Sequence, residues 1–441
     1  MTSQRPATSM PGAAPALPMR YVAAVVLGNA LEFYDFIAYA FFALQISHAF
    51  FPARTPATSL LLSLATFGAG FLMRPLGGLV LGRIADRRGR RPAMMLSFTL
   101  MGLGMVGLAL TPSYHSIGLL APALVLGWRL LQGFALGGEV GPNLAFLVEA
   151  APPARRGFYS SLHPATADAA AFIAGITGMV LAKTLSPGAL DDWGWRVAFL
   201  FGASIVPVGL MLRRSLPETL HAPEPPSPQS AAATGSYRRV ALLGFVMLAC
   251  ATVIGYVQTN LTTYAANTLH MSSLAAFTAT MLSGLFMTCF DPVGGWLSDR
   301  IGRKPVMIAA TVALALCTYP AFFTIVRFHT PAVLYVAAAL LGALTGLAQP
   351  PVLTAVTESL PRAVRAGTMA IVYALAISLF GGSTPFMVTW LIDVSGNPLA
   401  PGWYMLAAAV LEVGAMCLMR ESAPLVATSP AEGTAAAGAR G

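Results

Sequence analysis

Apolar residues run along this chain in long blocks broken by short polar clusters. A helix needs about 20 residues to cross the hydrocarbon core of a bilayer. The apolar blocks divide into twelve candidates of that kind: residues 21–44, 60–81, 93–110, 117–148, 158–181, 195–212, 240–264, 274–297, 306–326, 332–356, 368–391 and 403–419. The fourth block is over-long and is expected to extend beyond the bilayer. Glycine and proline inside the blocks are ordinary in membrane helices, whose neighbours re-satisfy the backbone. The pattern predicts an all-α polytopic membrane protein.

The polar interruptions organise the blocks. Residues 82–92 read GRIADRRGRRP, and residues 295–305 read GWLSDRIGRKP with Gly, Asp, Arg, Gly, a base and Pro in the same register, each at the foot of an apolar block. One basic loop marks a cytoplasmic turn, because lysine and arginine are retained on that side. Two copies at matched places mark a duplication, so twelve transmembrane helices in two six-helix pseudo-symmetric halves are expected. The boundaries follow as a cytoplasmic N-terminal segment 1–20, an N-terminal half 21–215, a cytoplasmic linker 216–237, a C-terminal half 238–420 and a tail 421–441. Residues 216–236 (LPETLHAPEPPSPQSAAATGS) and the tail are too polar and proline-rich to pack. With both termini inside, the basic residues gather in the cytoplasmic loops. The opposite side keeps Arg54, Lys183, Arg196 and Arg327, and Arg74 and Arg129 fall within spans.

Composition agrees. Of 441 residues 56% are hydrophobic and 10% charged, too little polar surface to cover a soluble globule of this size. The net charge of +9 sits in short loops rather than on one basic face, which makes it a topology signal and argues against a nucleic-acid partner. Cys250, Cys289, Cys317 and Cys417 lie inside apolar blocks without paired spacing, so they are expected to be reduced packing residues and not a disulfide framework or metal site. The first block contains Glu32 and Asp35 and is a retained helix rather than a signal peptide. The six histidines are scattered and no Ser or Cys stands in a nucleophile motif, which argues against an enzyme and against a bound cofactor.

Ionisable side chains inside a bilayer are costly and mark functional sites. Asn29, Glu32 and Asp35 in the first block fall within about 120° of arc on a helix, and Arg129, Gln132, Glu139 and Asn143 in the fourth within about 80°. Arg129 and Glu139 are separated by about 15 Å of rise and cannot pair, so Glu32 or Asp35 is the partner available to Arg129. Arg74 precedes Pro75, which interrupts the helical ladder and frees a carbonyl. The fifth block offers His163 and Asp168, the seventh Tyr256, Gln258, Asn260 and Tyr264, the eighth Asp291, and the eleventh Tyr373, Ser378, Ser383 and Thr384. For Tyr373, Ser378 and the seventh-block residues, helix–helix hydrogen bonds and substrate contact are both open. His163, beside Pro164, is open between helix-end bonding and a proton relay. The first half is rich in charge and the second in neutral hydrogen-bonders.

The duplicated basic motif resembles the signature loop of the major facilitator superfamily, and WRLLQGFALGGEVG (128–141) resembles its fourth-helix motif. NALEFYDF (29–36), FLMRPLGG (71–78) and WGWRVAFLFG (193–202) are similar to the metabolite:proton symporter branch, with the citrate and tricarballylate carriers nearest through HAFFPA (48–53), RRGFYSS (155–161) and LFGGSTP (379–385). The resemblance implies the major facilitator fold in a bacterial inner membrane, with a central cavity between halves that rock about it. It implies a monomeric symporter of protons and a small organic acid, citrate or a related tricarboxylate. On this resemblance Asn29, Arg74, Arg129, Gln132, His163, Gln258 and Tyr373 are candidates for substrate binding. Glu32, Asp35, Arg129 and Glu139 are candidates for proton coupling, and Asp86, Arg90, Asp299 and Arg303 for gating. His163 and Asp168 stand where those carriers have glutamines, and the extra acids Asp168 and Asp291 sit awkwardly with a tri-anion, so a dicarboxylate, an aromatic acid or a zwitterionic osmolyte of the proline/betaine kind is the alternative substrate.

Overall fold

The computed structural model of the chain describes residues 30, 33–88, 90–137, 147–148, 151–214 and 236–423. Asn29, Glu32, Glu139 and most of the expected linker and tail lie outside them, as do the side chains of Asp86 and Arg90. Every regular element among the described residues is helical. Leaving single turns aside, the helices are α1 (33–41), α2 (Ala43–Phe50), α3 (Pro56–Leu72), α4 (Arg74–Arg88), α5 (Arg90–Leu110), α6 (Leu120–Leu136), α7 (Arg156–Thr184) and α8 (Trp195–Arg214). The second half brings α9 (Ser236–Thr259), α10 (Ser273–Ile301), α11 (Arg303–Phe328), α12 (Pro331–Ser359), α13 (Arg362–Ala376), α14 (Thr384–Ser395) and α15 (Ala400–Leu418). Among the described residues, helix falls within part of each of the twelve predicted places. Eight of the described helices are long and apolar enough to cross a membrane, and Met95–Leu110 and Leu120–Leu136 are shorter apolar ones.

Local chemistry sets the helix ends. The Thr55 side chain accepts from the Thr58 amide with Pro56 at the first helical position of α3, and Ser272 accepts from the Ala275 amide to start α10. Within the second basic motif Gly302 ends α10 at φ +115°, a conformation that strains any residue with a Cβ. Leu72, Leu110, Leu316 and Val336 are all more than 60% exposed, as expected where the solvent is lipid rather than water. The interior of the first half is aromatic, built from Tyr34, Phe36, Tyr39, Phe41, Phe67, Phe71, Trp195 and Phe199. That of the second half is aliphatic and sulfur-rich. Cys250 is buried, but Cys289 and Cys417 are exposed on the outer surface rather than packed inside as expected; they lie on apolar helix faces that suit lipid.

The halves meet along α7 and α10, and again where Gly68 of α3 approaches Gly382, just before α14. Among the described residues the two helices touch at both ends of the α7–α10 seam. A small pocket lies further along the first span, lined by Phe41, Gln45, Thr262, Thr263, Ser273 and Phe277.

Candidate functional site

Glycines place the charged residues. A Cβ on Gly133 of α6 would lie 1.7 Å from the Gly70 carbonyl oxygen, and one on Gly70 would lie 2.8 Å from that of Arg129. Backbone contact between α3 and α6 therefore presses Arg129 against the aromatic face of the first span. Its guanidinium lies 4.1 Å from the Phe36 ring centroid, 4.6 Å from Tyr39 and 5.3 Å from Phe67, geometry that favours a cation over a π face.

The counter-charge is Asp35. Arg129 Nη1 donates to Gln132 Oε1 at 2.8 Å and reaches Asp35 Oδ2 at 3.4 Å, and Gln132 Nε2 donates to Asp35 Oδ1 at 3.1 Å. All three side chains are 0% exposed. Gln132 thus bridges the ion pair and satisfies an oxygen on one side and a donor on the other. Arg74 lies 4.2 Å from the Phe71 centroid and 4.9 Å from that of Phe36, so one ring borders both guanidiniums. Tyr256 lies within electrostatic range of Arg74 from the second half. His163 is buried edge-on to Phe33 and Tyr373. Asp35, Arg74, Arg129, Gln132, His163, Tyr256 and Tyr373 therefore converge. Gln258 is held elsewhere, donating to Thr345 at 2.6 Å and accepting from Ser283 at 3.2 Å inside the second half.

Pro75 has the effect its position predicts. A proline cannot donate to the carbonyl four residues earlier, here Phe71, and that oxygen accepts instead from Ser378 Oγ of the second half at 2.9 Å. Ser378 is thereby a link between halves. Tyr264 bonds the Pro398 carbonyl, and Ser383 and Thr384 bond back to their own helical turns.

The second basic motif builds a clamp. Asp299 accepts from the amides of Gly157 and Phe158 at 2.8 and 2.9 Å, at the start of α7, where backbone donors and the helix dipole favour an anion. Arg303 Nη1 donates to Asp299 at 2.6 Å, and its Nε and Nη2 reach the two oxygens of Glu358 at 3.2 and 3.3 Å. Ser160 and Thr354 bond across the seam beside them. Glu421 accepts from the amides of Arg303 and Lys304, both at 2.9 Å.

Sequence reasoning passed over three acids. Glu358 and Glu421 complete the clamp, and their signal was a carboxylate at a helix end facing a basic motif. Glu412 of α15 is 0% exposed, and neither of its oxygens has a hydrogen-bond partner among the described residues. An ionisable residue within the twelfth block was itself the sign.

Comparison with known proteins follows the same lines. The model of the Major Facilitator Superfamily matches residues 25–290 and 278–440. A citrate-proton symporter of Klebsiella pneumoniae is 38% identical over 413 residues, which cover 92% of this chain and 93% of that protein. An alpha-ketoglutarate permease of Escherichia coli (strain K12) is 35% identical over 392 residues, covering 87% and 89%. Among solved structures a D-xylose-proton symporter superposes with a TM-score of 0.73 at 18% identity, covering 92% of this chain and 98% of the other, a likeness of fold.

Proposed function

The chain belongs to the Major Facilitator Superfamily, and we propose that it is a proton-coupled symporter that imports a small organic acid, citrate or a related tricarboxylate first. The observation that carries the proposal is the pair of buried guanidiniums of Arg74 and Arg129 around one aromatic ring, with Asp35 and Gln132 engaging Arg129. A buried cation demands an anion. Asp35 supplies it in the closed structure, and a substrate carboxylate supplies it when Asp35 is protonated. Proton and acid then bind cooperatively through one shared counter-charge. Arg74 offers a second cation to a second carboxylate, with Tyr256 and Tyr373 bordering it from the other half. Glu32 is the alternative proton acceptor on the same helical arc, and Asn29, His163 and Gln258 remain candidates for shaping the substrate.

The halves 21–215 and 238–420 rock about this site, joined by the linker 216–237. The basic motifs lie on the cytoplasmic side with both termini, in a bacterial inner membrane, and one chain suffices. Asp299 and Arg303 close the cytoplasmic end, and Asp86 and Arg90 are expected to do the same in the first copy. The relative that transports citrate supports a tricarboxylate. Asp168 and Asp291, two acids at the seam, favour the second reading, a dicarboxylate, an aromatic acid or a zwitterion. Proteoliposomes with an inward proton gradient test both. Labelled citrate should accumulate and then collapse with an uncoupler, whereas accumulation of 2-oxoglutarate or betaine alone would support the second reading. Gradient-independent behaviour with every acid would overturn both.

A further inference from the structure

Helix α15 is the last of the second half and packs against α9, α11 and α14. Its buried face carries Glu412, which is 0% exposed and whose two oxygens have no hydrogen-bond partner among the described residues. The positions that border it one helical turn before and one turn after are apolar. Ala408 and Ala409 belong with Cys250 of α9 and Leu314 of α11 to one apolar cluster, and Ala415 and Met416 with Met247 of α9 and Met307 of α11 to another. The carboxyl therefore sits at the join between two apolar layers, about 9 Å of rise inside the end of α15.

Glu412 forms no ion pair among the described residues. Helices α11 and α15 run antiparallel, and a Cβ on Gly402 would lie 3.0 Å from that of Phe322. Ten residues on from Gly402 is Glu412 and eleven back from Phe322 is Thr311, so the two are level to within about 1.5 Å of rise. What α11 brings to that level is a neutral hydroxyl. Its cations stand at its ends, where Arg303 is bound to Asp299 and Glu358, Lys304 Nζ donates to the Cys417 and Met419 carbonyls at 2.7 and 2.9 Å, and Arg327 closes the far end. Cys317 and Tyr319 lie past Thr311 on the same helix, Tyr319 against Trp403 at the start of α15. On α9, Arg238 and Arg239 stand near the start, Arg239 reaching the Leu418 carbonyl at 3.5 Å. The α9 side chain within electrostatic range of Glu412 is the thiol of Cys250. Asp393, near the end of α14, is exposed.

An ionised carboxylate taken out of water without a cation or a hydrogen-bond donor is strongly disfavoured, and the neutral acid far less so. We infer that Glu412 is a proton-binding site inside the second half, separate from Asp35 and Arg129, and that it holds its proton while α15 lies against α9 and α11. Loading forms one O–H bond on Glu412 with a proton from water, and unloading returns H⁺ to water and leaves the carboxylate. Unloading needs water at the carboxyl, so it accompanies a parting of α15 from α9 or α11. The half that reads as neutral hydrogen-bonders then carries an exchangeable charge of its own. The site goes beyond the carrier reading above, does not rest on it, and is tested without transport.

The test is the infrared difference spectrum of the full chain in lipid nanodiscs, parent against Glu412→Gln, at about pH 7, where a free glutamate side chain is ionised. The variant should lose one carbonyl-stretch band of a protonated carboxyl and no carboxylate band, and Glu412→Ala should lose the same band. Loss of carboxylate bands alone overturns the inference. A measurement that keeps Glu412 in place covers the case in which both variants fail to fold. With Glu32→Gln and Glu139→Gln removing the other glutamates inside predicted spans, isotopic labelling of glutamate at its side-chain carboxyl should shift a protonated-carboxyl band, and the lack of any such shift overturns the inference equally. The Glu412→Gln difference band should also appear in an Asp35→Asn background, and its absence there overturns the separation from Asp35. Sodium added at constant pH should leave the band in place; its replacement by carboxylate bands overturns the inference by assigning the site to a metal cation.

Discussion

Asp35→Asn is the sharpest test of the coupling scheme. The asparagine keeps the shape of the aspartate and an oxygen for Gln132 Nε2, now 3.1 Å from Asp35 Oδ1, but removes the negative charge 3.4 Å from Arg129 Nη1. Stripping a buried cation of its partner costs about 3–5 kcal/mol, so the empty protein should melt markedly lower than the parent. An anionic substrate restores the charge, and its addition should recover more stability in the variant than in the parent. In transport, one proton moving down one pH unit supplies about 1.4 kcal/mol, enough for roughly tenfold accumulation. The neutral side chain can neither take up nor release that proton. Accumulation should fall from about tenfold to parity while exchange of labelled for unlabelled acid continues. The assay is paired uphill uptake and counterflow in proteoliposomes at matched protein density. Tenfold accumulation retained in Asp35→Asn would refute the reasoning and pass the proton to another group, Glu32 being the nearest on the same arc. Loss of exchange together with accumulation would refute it too, because the pair would then be a structural lock.

Four further outcomes follow from the geometry. Arg74→Ala should raise the half-saturating acid concentration at least about tenfold, the scale of one charge-assisted hydrogen bond, with Arg74→Lys recovering part of it; equal affinity in all three would remove Arg74 from the site. Gly133→Ala puts a methyl 1.7 Å from the Gly70 oxygen and should lower stability by about 1–3 kcal/mol in thermal unfolding, and an unchanged melting temperature would contradict the close contact. Asp299→Asn leaves one acceptor for the three donors now shared by two oxygens, so a cysteine placed at the buried Ser161 should react about tenfold faster with a maleimide; an unaltered rate would show that the clamp does not hold that end. His48, past the end of the first predicted span, hydrogen-bonds Asp191, which raises its protonation above the ordinary value. That pair contributes fully below about pH 6.5 and its contribution fades as the pH climbs through the raised value. Since the two side chains are 47% and 40% exposed, Asp191→Asn should bring only a small loss of stability at acid pH and none at pH 9.

The charges were readable and their padding was not. Asp35 was one of two acids that helical phase could offer Arg129, and the structure shows it paired while Glu32 lies outside the described residues. Phase also put Gln132 on the stripe with Arg129. It could not show that Gln132 bridges the pair, since that depends on how closely α6 approaches the first span. The aromatic rings around both arginines were not legible: the acidic arc of the first block gives its phase but not how closely Phe36 and Tyr39 approach another helix, and Phe67 and Phe71 lie in an apolar stretch where no polar face reveals which way a ring turns. The duplicated basic motif announced the halves plainly, but its partners Glu358 and Glu421 come from elsewhere in the chain, and only the assembled bundle brings them in.

The hydroxyl of Ser378 and the Phe71 oxygen left over by Pro75 meet only while the two bundles are together. In the rocking motion proposed above, parting the bundles would take the Ser378 hydroxyl from that oxygen, and water is the donor small enough to replace it. Opening would then be a wet event at this depth, and the proposed carrier would hold a standing incentive to shut again once its cargo had gone.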